Sequence, residues 1–207
     1  LPEERLLYLL GVLDLDALVV DARGAKMITP AVAAAAPRTI LCGDEVRGIE
    51  ASAPHAVRLS DLGEGGSLEP APVPPDDVAY IEFTSGTTGV PKGVMVPVGA
   101  VNQYLRVSQE KFGLRPDDRM AETCDITFDL SVHNMFLAWN AGAALHVMSP
   151  LEMVSPSRFI RDRRITAWLS VPSIIAMMRK TRALEPGSLP SLRLSWFCGE
   201  ALPVGAA

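Results

Sequence analysis

The sequence predicts an α/β fold in which mostly parallel sheets are covered by helices. Short apolar runs alternate along the chain with segments whose apolar residues recur at helical spacing. Proline stands at most helix starts, in two cases after serine or threonine, and glycine stands at several helix ends. Such alternation is typical of parallel sheets, because a parallel strand pair needs a crossover connection that is usually a helix.

The N-terminal portion, residues 1–75, contains the first of these alternations. Its predicted elements are a helix from Pro2 that ends at Gly11, a buried strand at 15–20, an alanine-rich helix at 30–36 capped by Thr29, a strand at 38–42 and a weaker strand at 56–59. Residues 61–77 contain seven glycines and prolines and predict an exposed linker at the end of this portion.

The second portion, residues 76–207, continues the pattern. Its predicted elements are strands at 78–83 and 94–96, a helix at 97–112, a strand at 119–124, a helix at 130–140, a strand at 143–148, a short helix from Ser155-Pro156, a strand at 165–169, a helix at 172–182 and a strand at 192–197. The run at 78–83 is predicted to be buried, and Gly113 and Gly142 are predicted to end the helices before them.

Composition excludes several classes of function. With 48% hydrophobic residues and a net charge of −5, the chain can bury a core and is poorly suited to bind nucleic acid or an anionic membrane. No apolar run reaches spanning length, so a cytoplasmic protein is expected. Cys42, Cys124 and Cys198 are predicted to be buried free thiols without a metal or redox spacing. Solvated turns are expected at His55, His146, Asp76-Asp77 and Asp117-Asp118.

The segment 84–93, Thr-Ser-Gly-Thr-Thr-Gly-Val-Pro-Lys-Gly, is the strongest functional signal. Glycines let backbone N–H groups approach an anion, hydroxyls donate further hydrogen bonds, and Lys92 supplies a mobile positive charge. The segment does not match the P-loop pattern, since Lys92 stands between Pro91 and Gly93. From its residues alone it is either a polyphosphate loop or a flexible surface loop.

Two later motifs narrow the interpretation. Phe-Asp-Leu-Ser-Val occupies residues 128–132, and Trp-Phe-Cys-Gly-Glu-Ala-Leu occupies residues 196–202. Together with residues 80–93 they resemble, in order and spacing, the adenylate-forming superfamily. They are most similar to the amino-acid adenylation domains of nonribosomal peptide synthetases and their stand-alone relatives, in particular the D-alanine–carrier-protein ligases. Val98 and Asn134 depart from the family pattern, which often has histidine and an acidic residue there.

The resemblance implies an ATP-dependent ligase that joins a substrate carboxylate to AMP and then transfers the acyl group to the phosphopantetheine thiol of a carrier protein. It implies Mg²⁺ as the counterion of ATP. The residues implied to hold the phosphates are Thr84, Ser85, Gly86, Thr87, Thr88, Gly89 and Lys92, with Lys92 also catalytic. Those implied to form a platform for adenine are Gly199, Glu200 and Ala201. An ordinary strand-to-helix turn with an acidic helix start is the alternative for this platform.

Asp129 is the residue implied to bind the ammonium group of an amino acid, with a helix N-cap as the structural alternative. The resemblance implies that Leu130, His133, Leu169, Trp196 and Cys198 line the side-chain pocket. The structural alternatives are core packing for Leu169 and Trp196, an inert thiol for Cys198, and a hydrogen-bonded core histidine for His133. Bulky Trp196 would shorten the pocket, so a small substrate such as alanine is expected.

The resemblance also implies that both portions belong to one truncated adenylation domain, since the family's C-terminal catalytic lysine and ribose-binding aspartate would lie beyond residue 207. The 207 residues alone are therefore expected to be inactive. Two alternatives stay open at this point. One is an acyl- or aryl-CoA synthetase of the same superfamily, and the other is a non-catalytic nucleotide-binding module.

Overall fold

The computed structural model describes residues 2–63, 65–67, 69–84, 90–180 and 182–202. The chain divides into two compact units, Leu1–Ala71 and Pro72–Ala207. The helices are Glu3–Val12 (α1), Pro30–Ala35 (α2), Val98–Phe112 (α3), Asp129–Asn140 (α4), Pro156–Arg163 (α5) and Pro172–Lys180 (α6). The strands are Ala17–Val20 (β1), Thr39–Cys42 (β2), Val57–Arg58 (β3), Val78–Thr84 (β4), Lys92–Pro97 (β5), Arg119–Glu122 (β6), Ala144–Val147 (β7), Ala167–Ser170 (β8) and Leu194–Phe197 (β9).

The first unit is built on a three-stranded parallel sheet in the order β1-β2-β3. Its core joins the sheet to α1 and α2, and Val32, Ile40 and Val46 in it are fully buried. Thr29 caps α2 as predicted, because its hydroxyl accepts a hydrogen bond from the Val32 N–H at 3.2 Å.

Two details of this unit differ from the prediction. Helix α1 does not end at Gly11 but continues to Val12, since the Leu13 N–H still donates to the Leu9 carbonyl at 3.1 Å. Strand β1 was expected to be buried, yet Val19 is 67% exposed while Val20 is buried. The reason is that β1 lies at the edge of this sheet and the core cluster covers one of its faces.

The second unit opens with the antiparallel hairpin of β4 and β5, in which Thr84 stands opposite Lys92. Gly93 is required here, because a Cβ at this position would lie 2.9 Å from Cγ2 of Ile81. The prediction that β4 is buried is wrong: Val78 is 47% exposed and Ile81 is 41% exposed. In the described part of the chain, β4 pairs only with β5, so the ribbon lacks the flanking strands that would bury it.

The larger sheet has four parallel strands in the order β7-β6-β8-β9, connected through α4, α5 and α6. Neighbouring residues Met120 and Ala121 belong to two different core clusters, as expected for a strand covered on both faces. This sheet confirms the α/β class with mostly parallel strands. The left-handed residues Gly113 and Gly142 follow α3 and α4, as predicted. None of the described helices combines the length and apolarity that crossing a membrane requires.

The edge of this sheet at which β6, β8 and β9 begin contains a buried ionic network. Asp118, expected in a solvated turn, is only 3% exposed. It forms an ion pair with Arg193 and accepts hydrogen bonds from the Thr166 hydroxyl at 2.6 Å and from the Arg115 N–H at 2.7 Å. These partners come from the segments before β6, β8 and β9, so one carboxylate joins three strands at their starts.

His146 was also expected in a solvated turn, but it lies within β7. Its Nε2 atom is buried, and burial lowers the pKa of this imidazole. The turns at His55 and at Asp76-Asp77 are exposed, as expected.

Candidate functional site

The hairpin positions the two ends of the candidate phosphate loop. Thr84 and Lys92 are cross-strand neighbours, and the Thr84 hydroxyl lies 3.5 Å from the Lys92 carbonyl oxygen. Both residues are exposed. Most of the predicted phosphate-binding residues between them lie outside the described residues. These are Ser85, Gly86, Thr87, Thr88 and Gly89. A hydroxyl and an ammonium group therefore flank the loop at the end of the hairpin.

Asp129 is the first residue of α4, and Phe128 is the N-cap. The N-cap alternative for Asp129 is therefore wrong: the described capping geometry has no side-chain hydrogen bond, and Asp129 lies one residue inside the helix. The Ser131 hydroxyl instead donates to the Phe128 carbonyl at 2.8 Å. The helix macrodipole favours a negative charge at this position, and the Asp129 side chain is exposed.

A cavity of about 380 Å³ lies between the hairpin, α3 and α4. Three of the predicted pocket residues line it together: Asp129, Leu130 and His133. The remaining lining residues are Tyr80, Val96, Ala100, Val101, Tyr104, Leu105, Val132 and Phe136. The cavity is thus an apolar space with a carboxylate at α4's first turn, two phenol groups and an imidazole, which is the composition of a small-molecule site.

His133 is held by hydrogen bonding and by aromatic packing. Its Nδ1 shares a hydrogen bond of 2.7 Å with the Tyr104 hydroxyl. Burial lowers the pKa of His133, although the Asp129 charge acts in the opposite direction. Edge-to-face contacts join His133 to Tyr104, Phe112 and Trp196, with ring centroids 5.7, 6.4 and 6.2 Å away. His133 is therefore a hydrogen-bonded core histidine that also forms a wall of the cavity.

Leu169, Trp196 and Cys198 do not line this cavity. Leu169 on β8 stands beside Trp196 on β9 in register. Trp196 packs edge-to-face on Phe112 at 4.8 Å and reaches the cavity through His133. Burial and the Asp129 charge both raise the pKa of the Cys198 thiol. Of the six predicted residues, three line the cavity, and Trp196 and Leu169 are joined to it through the ring of His133.

The cysteines are free, as predicted, but only Cys42 is buried. Cys124 and Cys198 are half-buried at the carboxyl edge of the larger sheet. Burial also raises the pKa of the Cys124 thiol. Neither thiol is therefore activated as a nucleophile. In the described part of the chain, no group of three or more His, Cys, Asp and Glu side chains could hold a metal ion.

Glu82 is an acidic neighbour of Asp129 that the sequence interpretation missed. It lies on β4, and burial followed by the Asp129 charge raises its pKa, although the backbone of Asp129 acts in the opposite direction. The same two causes, burial and then the Asp129 charge, raise the pKa of Tyr80. An acidic residue within the apolar run 78–83 was the available signal.

The predicted adenine platform begins in a left-handed turn. Gly199 has φ +78°, a conformation that favours glycine, and a Cβ there would lie 3.4 Å from Cγ1 of Val171. The Glu200 carboxylate accepts hydrogen bonds from the Ser173 N–H at 2.9 Å and from its hydroxyl at 3.2 Å. Glu200 therefore caps the first turn of α6, and Ala201 next to it is exposed. The binding of adenine here stays a prediction.

Comparison with known proteins agrees with the motifs. The family model described as AMP-binding enzyme matches residues 1–207. An L-proline–[L-prolyl-carrier protein] ligase of Streptomyces coelicolor is 34% identical over 148 residues, which are 70% of this chain and 28% of that protein. The phosphinothricin tripeptide synthetase PhsC of Streptomyces viridochromogenes is 39% identical over 145 residues, covering 68% of this chain and 13% of that protein. The chain thus spans less than a third of the length of these relatives.

The fold is similar to that of solved adenylation domains. The Vibrio cholerae adenylation domain AlmE, in complex with glycyl-adenosine-5'-phosphate, superposes with a TM-score of 0.80 at 30% identity. The match covers 97% of this chain and 39% of that structure.

Proposed function

This chain belongs to the AMP-binding enzyme family, and we propose that it is the part of an amino-acid adenylating ligase that binds the amino acid and the phosphates of ATP. The proposed reaction has two steps. The substrate carboxylate attacks the α-phosphorus of ATP, which forms aminoacyl-AMP and releases pyrophosphate. The phosphopantetheine thiol of a carrier protein then attacks the acyl carbon, which forms a thioester and releases AMP.

The observation that carries this proposal is the position of Asp129. Its carboxylate stands at the first turn of α4 and lines the cavity together with Leu130 and His133. An α-ammonium group entering that apolar space needs an anionic partner, and a carboxylate is the strongest hydrogen-bond acceptor available to it. A substrate without an ammonium group would leave this charge unpaired, which disfavours the acyl- or aryl-CoA synthetase alternative.

Phosphoryl chemistry depends mainly on positioning and on charge stabilisation. Lys92, at the start of β5, is the residue we assign to neutralise charge on the departing pyrophosphate. The Thr84 hydroxyl and the loop residues Ser85, Gly86, Thr87, Thr88 and Gly89 are assigned to hold the β- and γ-phosphates, and Gly199, Glu200 and Ala201 to support adenine. Mg²⁺ is implied as the counterion of ATP, but the described residues do not offer it a cluster of acidic ligands, so we assign none of its ligands here.

The aromatic cluster supports a small amino acid such as alanine as the substrate. The rings of His133, Phe112 and Trp196 contact one another and occupy the space next to the cavity wall. The related domain AlmE was crystallised with a glycyl adenylate. The related protein of Streptomyces coelicolor is a carrier-protein ligase. Both similarities support a small amino acid and a carrier protein as the partners of this chain.

Amino-acid-dependent pyrophosphate exchange in the full protein tests the role of Asp129. Asp129→Asn should lower the exchange rate about 100-fold, because removing one member of a desolvated charge pair costs about 2–5 kcal/mol. The matched control is Asp162→Asn, since Asp162 on α5 is an exposed carboxylate paired with Arg158. If Asp129→Asn retains the exchange rate of Asp162→Asn, the assignment of Asp129 to the ammonium group is wrong.

A further inference from the structure

Glu122 is a buried acid at the carboxyl end of β6, only 7% exposed. Its Oε1 atom accepts hydrogen bonds from Nδ2 of Asn134 and from the backbone N–H of Cys124, each at 2.9 Å. Cys124 lies at the start of the connection from β6 to α4, and Asn134 lies in the second turn of α4. A single carboxyl oxygen therefore joins the two ends of the segment that contains Asp129.

Two acceptor atoms of this arrangement have no donor among the described residues. They are Oε2 of Glu122 and Oδ1 of Asn134, and both atoms are buried. An ionised carboxylate can only accept hydrogen bonds, so it cannot serve the Asn134 carbonyl. Exchanging the nitrogen and oxygen of the Asn134 amide does not help, because the amide still has one carbonyl and the carboxylate still has no proton.

We propose that Glu122 is a positioning residue for the substrate site and that it works as a neutral carboxylic acid, whose Oε2–H donates to Oδ1 of Asn134. One proton then gives both buried acceptors a partner, and the side chains form a closed acid–amide pair with two hydrogen bonds. This inference rests on the proposed function only in that the segment positioned by the pair carries Asp129.

The surroundings of Glu122 favour the neutral form. Burial raises its pKa, and the hydrogen bonds from Asn134 and from the backbone of Cys124 and Thr123 offset this only in part. Its neighbour in register on β7 is the apolar Val147. On the connection, the adjacent titratable group is the Cys124 thiol, whose pKa is itself raised by burial. No cation is among the described groups that act on Glu122.

The residue next to the pair also contacts β8, which carries the predicted pocket residue Leu169. The Thr123 hydroxyl, next to Glu122, donates to the Leu169 carbonyl on β8 at 2.5 Å. Loss of the pair would free α4 to move relative to β6, while the Thr123 bond would still hold the end of β6 to β8. The amino-acid contacts of Asp129 and His133 would change, whereas Thr84 and Lys92 on the hairpin would keep their cross-strand register.

Infrared difference spectroscopy tests the proton without relying on catalysis. The wild-type protein with ¹³C-labelled glutamate should show the C=O band of a protonated carboxyl at pH 7, and Glu122→Gln should remove it. Glu110→Gln is the control, since the Glu110 side chain is 64% exposed and pairs with Arg106; it should remove carboxylate bands only. If Glu122→Gln also removes only carboxylate bands, Glu122 is ionised and the proposal is overturned.

Steady-state pyrophosphate exchange in the full protein tests the positioning role. Glu122→Gln can form the same two hydrogen bonds as an amide–amide pair, so its KM for the amino acid should stay within about twofold of wild type. Glu122→Leu should raise that KM about tenfold, the equivalent of one hydrogen bond of about 1.4 kcal/mol. Its KM for ATP should change less than about twofold.

The variants also separate positioning from loss of folding. If Glu122→Leu does not fold, Asn134→Ala provides the same comparison, because it removes the partner of the acid and leaves Glu122 in place. Equal increases of the KM for ATP and for the amino acid, or no increase of either, would overturn the positioning role. Absence of exchange in the wild type would count against the proposed function and leave the infrared test intact.

Discussion

Replacing Asp118 with asparagine should lower the free energy of unfolding at pH 7 by about 3 kcal/mol. The carboxylate is buried and its ion pair with Arg193 is supported by hydrogen bonds from Thr166 and Arg115. Asparagine has a similar shape but directs an NH₂ group at a guanidinium or hydroxyl donor. Removing one partner of a buried ion pair costs about 3–5 kcal/mol. The lower value applies because the Arg193 side chain is 32% exposed and partly hydrated.

The pH dependence of the free energy of unfolding gives a second estimate of how much Asp118 stabilises the fold. Burial alone would raise the pKa of Asp118, but the hydrogen bonds from Arg193, Thr166 and Arg115 outweigh it and lower the pKa from 3.8 to about 2. A lowered pKa stabilises the folded state above pH 3.8, and the stabilisation is lost as the pH falls through 2. At about 1.36 kcal/mol per pKa unit, this one group contributes about 2 kcal/mol.

Urea unfolding followed by tryptophan fluorescence measures both effects. The three tryptophans, Trp139, Trp168 and Trp196, all belong to the second unit, which also contains Asp118. With a slope of about 2 kcal/mol per molar urea, Asp118→Asn should lower the midpoint at pH 7 by about 1.5 M. The wild-type midpoint should fall between pH 5 and pH 2 by about 1 M more than that of the variant.

The exposed pair of Arg106 and Glu110 provides the control, because both side chains are more than 60% exposed. Glu110→Gln should change the free energy of unfolding by less than about 0.5 kcal/mol. If Asp118→Asn loses no more stability than this control, or keeps the full acid sensitivity of the wild type, the reasoning about the buried network is refuted.

Two further predictions concern the site. Lys92→Ala should raise the KM for ATP about tenfold or more in pyrophosphate exchange, because a charge-assisted phosphate contact contributes about 1.5–3 kcal/mol. Lys180→Ala, at an exposed position on α6, is the control. Equal KM values for ATP in both variants would contradict the assignment of Lys92. Tyr104→Phe removes the hydrogen bond to His133 but keeps the ring, so the preference of the enzyme between alanine and a larger amino acid should change about tenfold. Tyr8→Phe in the first unit should leave that preference unchanged, and an unchanged preference in Tyr104→Phe would show that the bond does not shape the pocket.

Local signals account for the parts of the fold that the sequence predicts well. Thr29 caps α2 through a bond to a residue three positions later, and Gly113 ends α3 because its left-handed conformation is accessible to glycine. The alternation of strand and helix is likewise local, because the spacing of apolar residues within each segment indicates whether that segment is a strand or a helix. These features need no knowledge of distant contacts.

Burial and pairing depend on distant contacts and were not predictable in the same way. Asp118 and Arg193 are 75 positions apart, and the same Asp-Asp dipeptide would be solvated in a simple turn. The apolar run of β4 resembles a buried strand, yet its exposure is decided by the strands beside it in space.

The candidate site likewise combines residues that a local motif predicts with residues that only distant contacts bring together. Asp129 and His133 lie four residues apart on one helix, so a motif in the sequence brings both to one cavity. Tyr104 and Glu82 come from α3 and β4, and only the folded chain brings them to His133 and Asp129.

The most direct test of the central claim is pyrophosphate exchange in the full protein with alanine compared with propionate. The two substrates have the same carbon chain and carboxylate, and they differ only in the ammonium group assigned to Asp129. Exchange with alanine at least about 100-fold faster than with propionate, reduced to a similar rate for both by Asp129→Asn, is the predicted result. Equal exchange with both substrates in the wild type would contradict the claim that this site selects an amino acid.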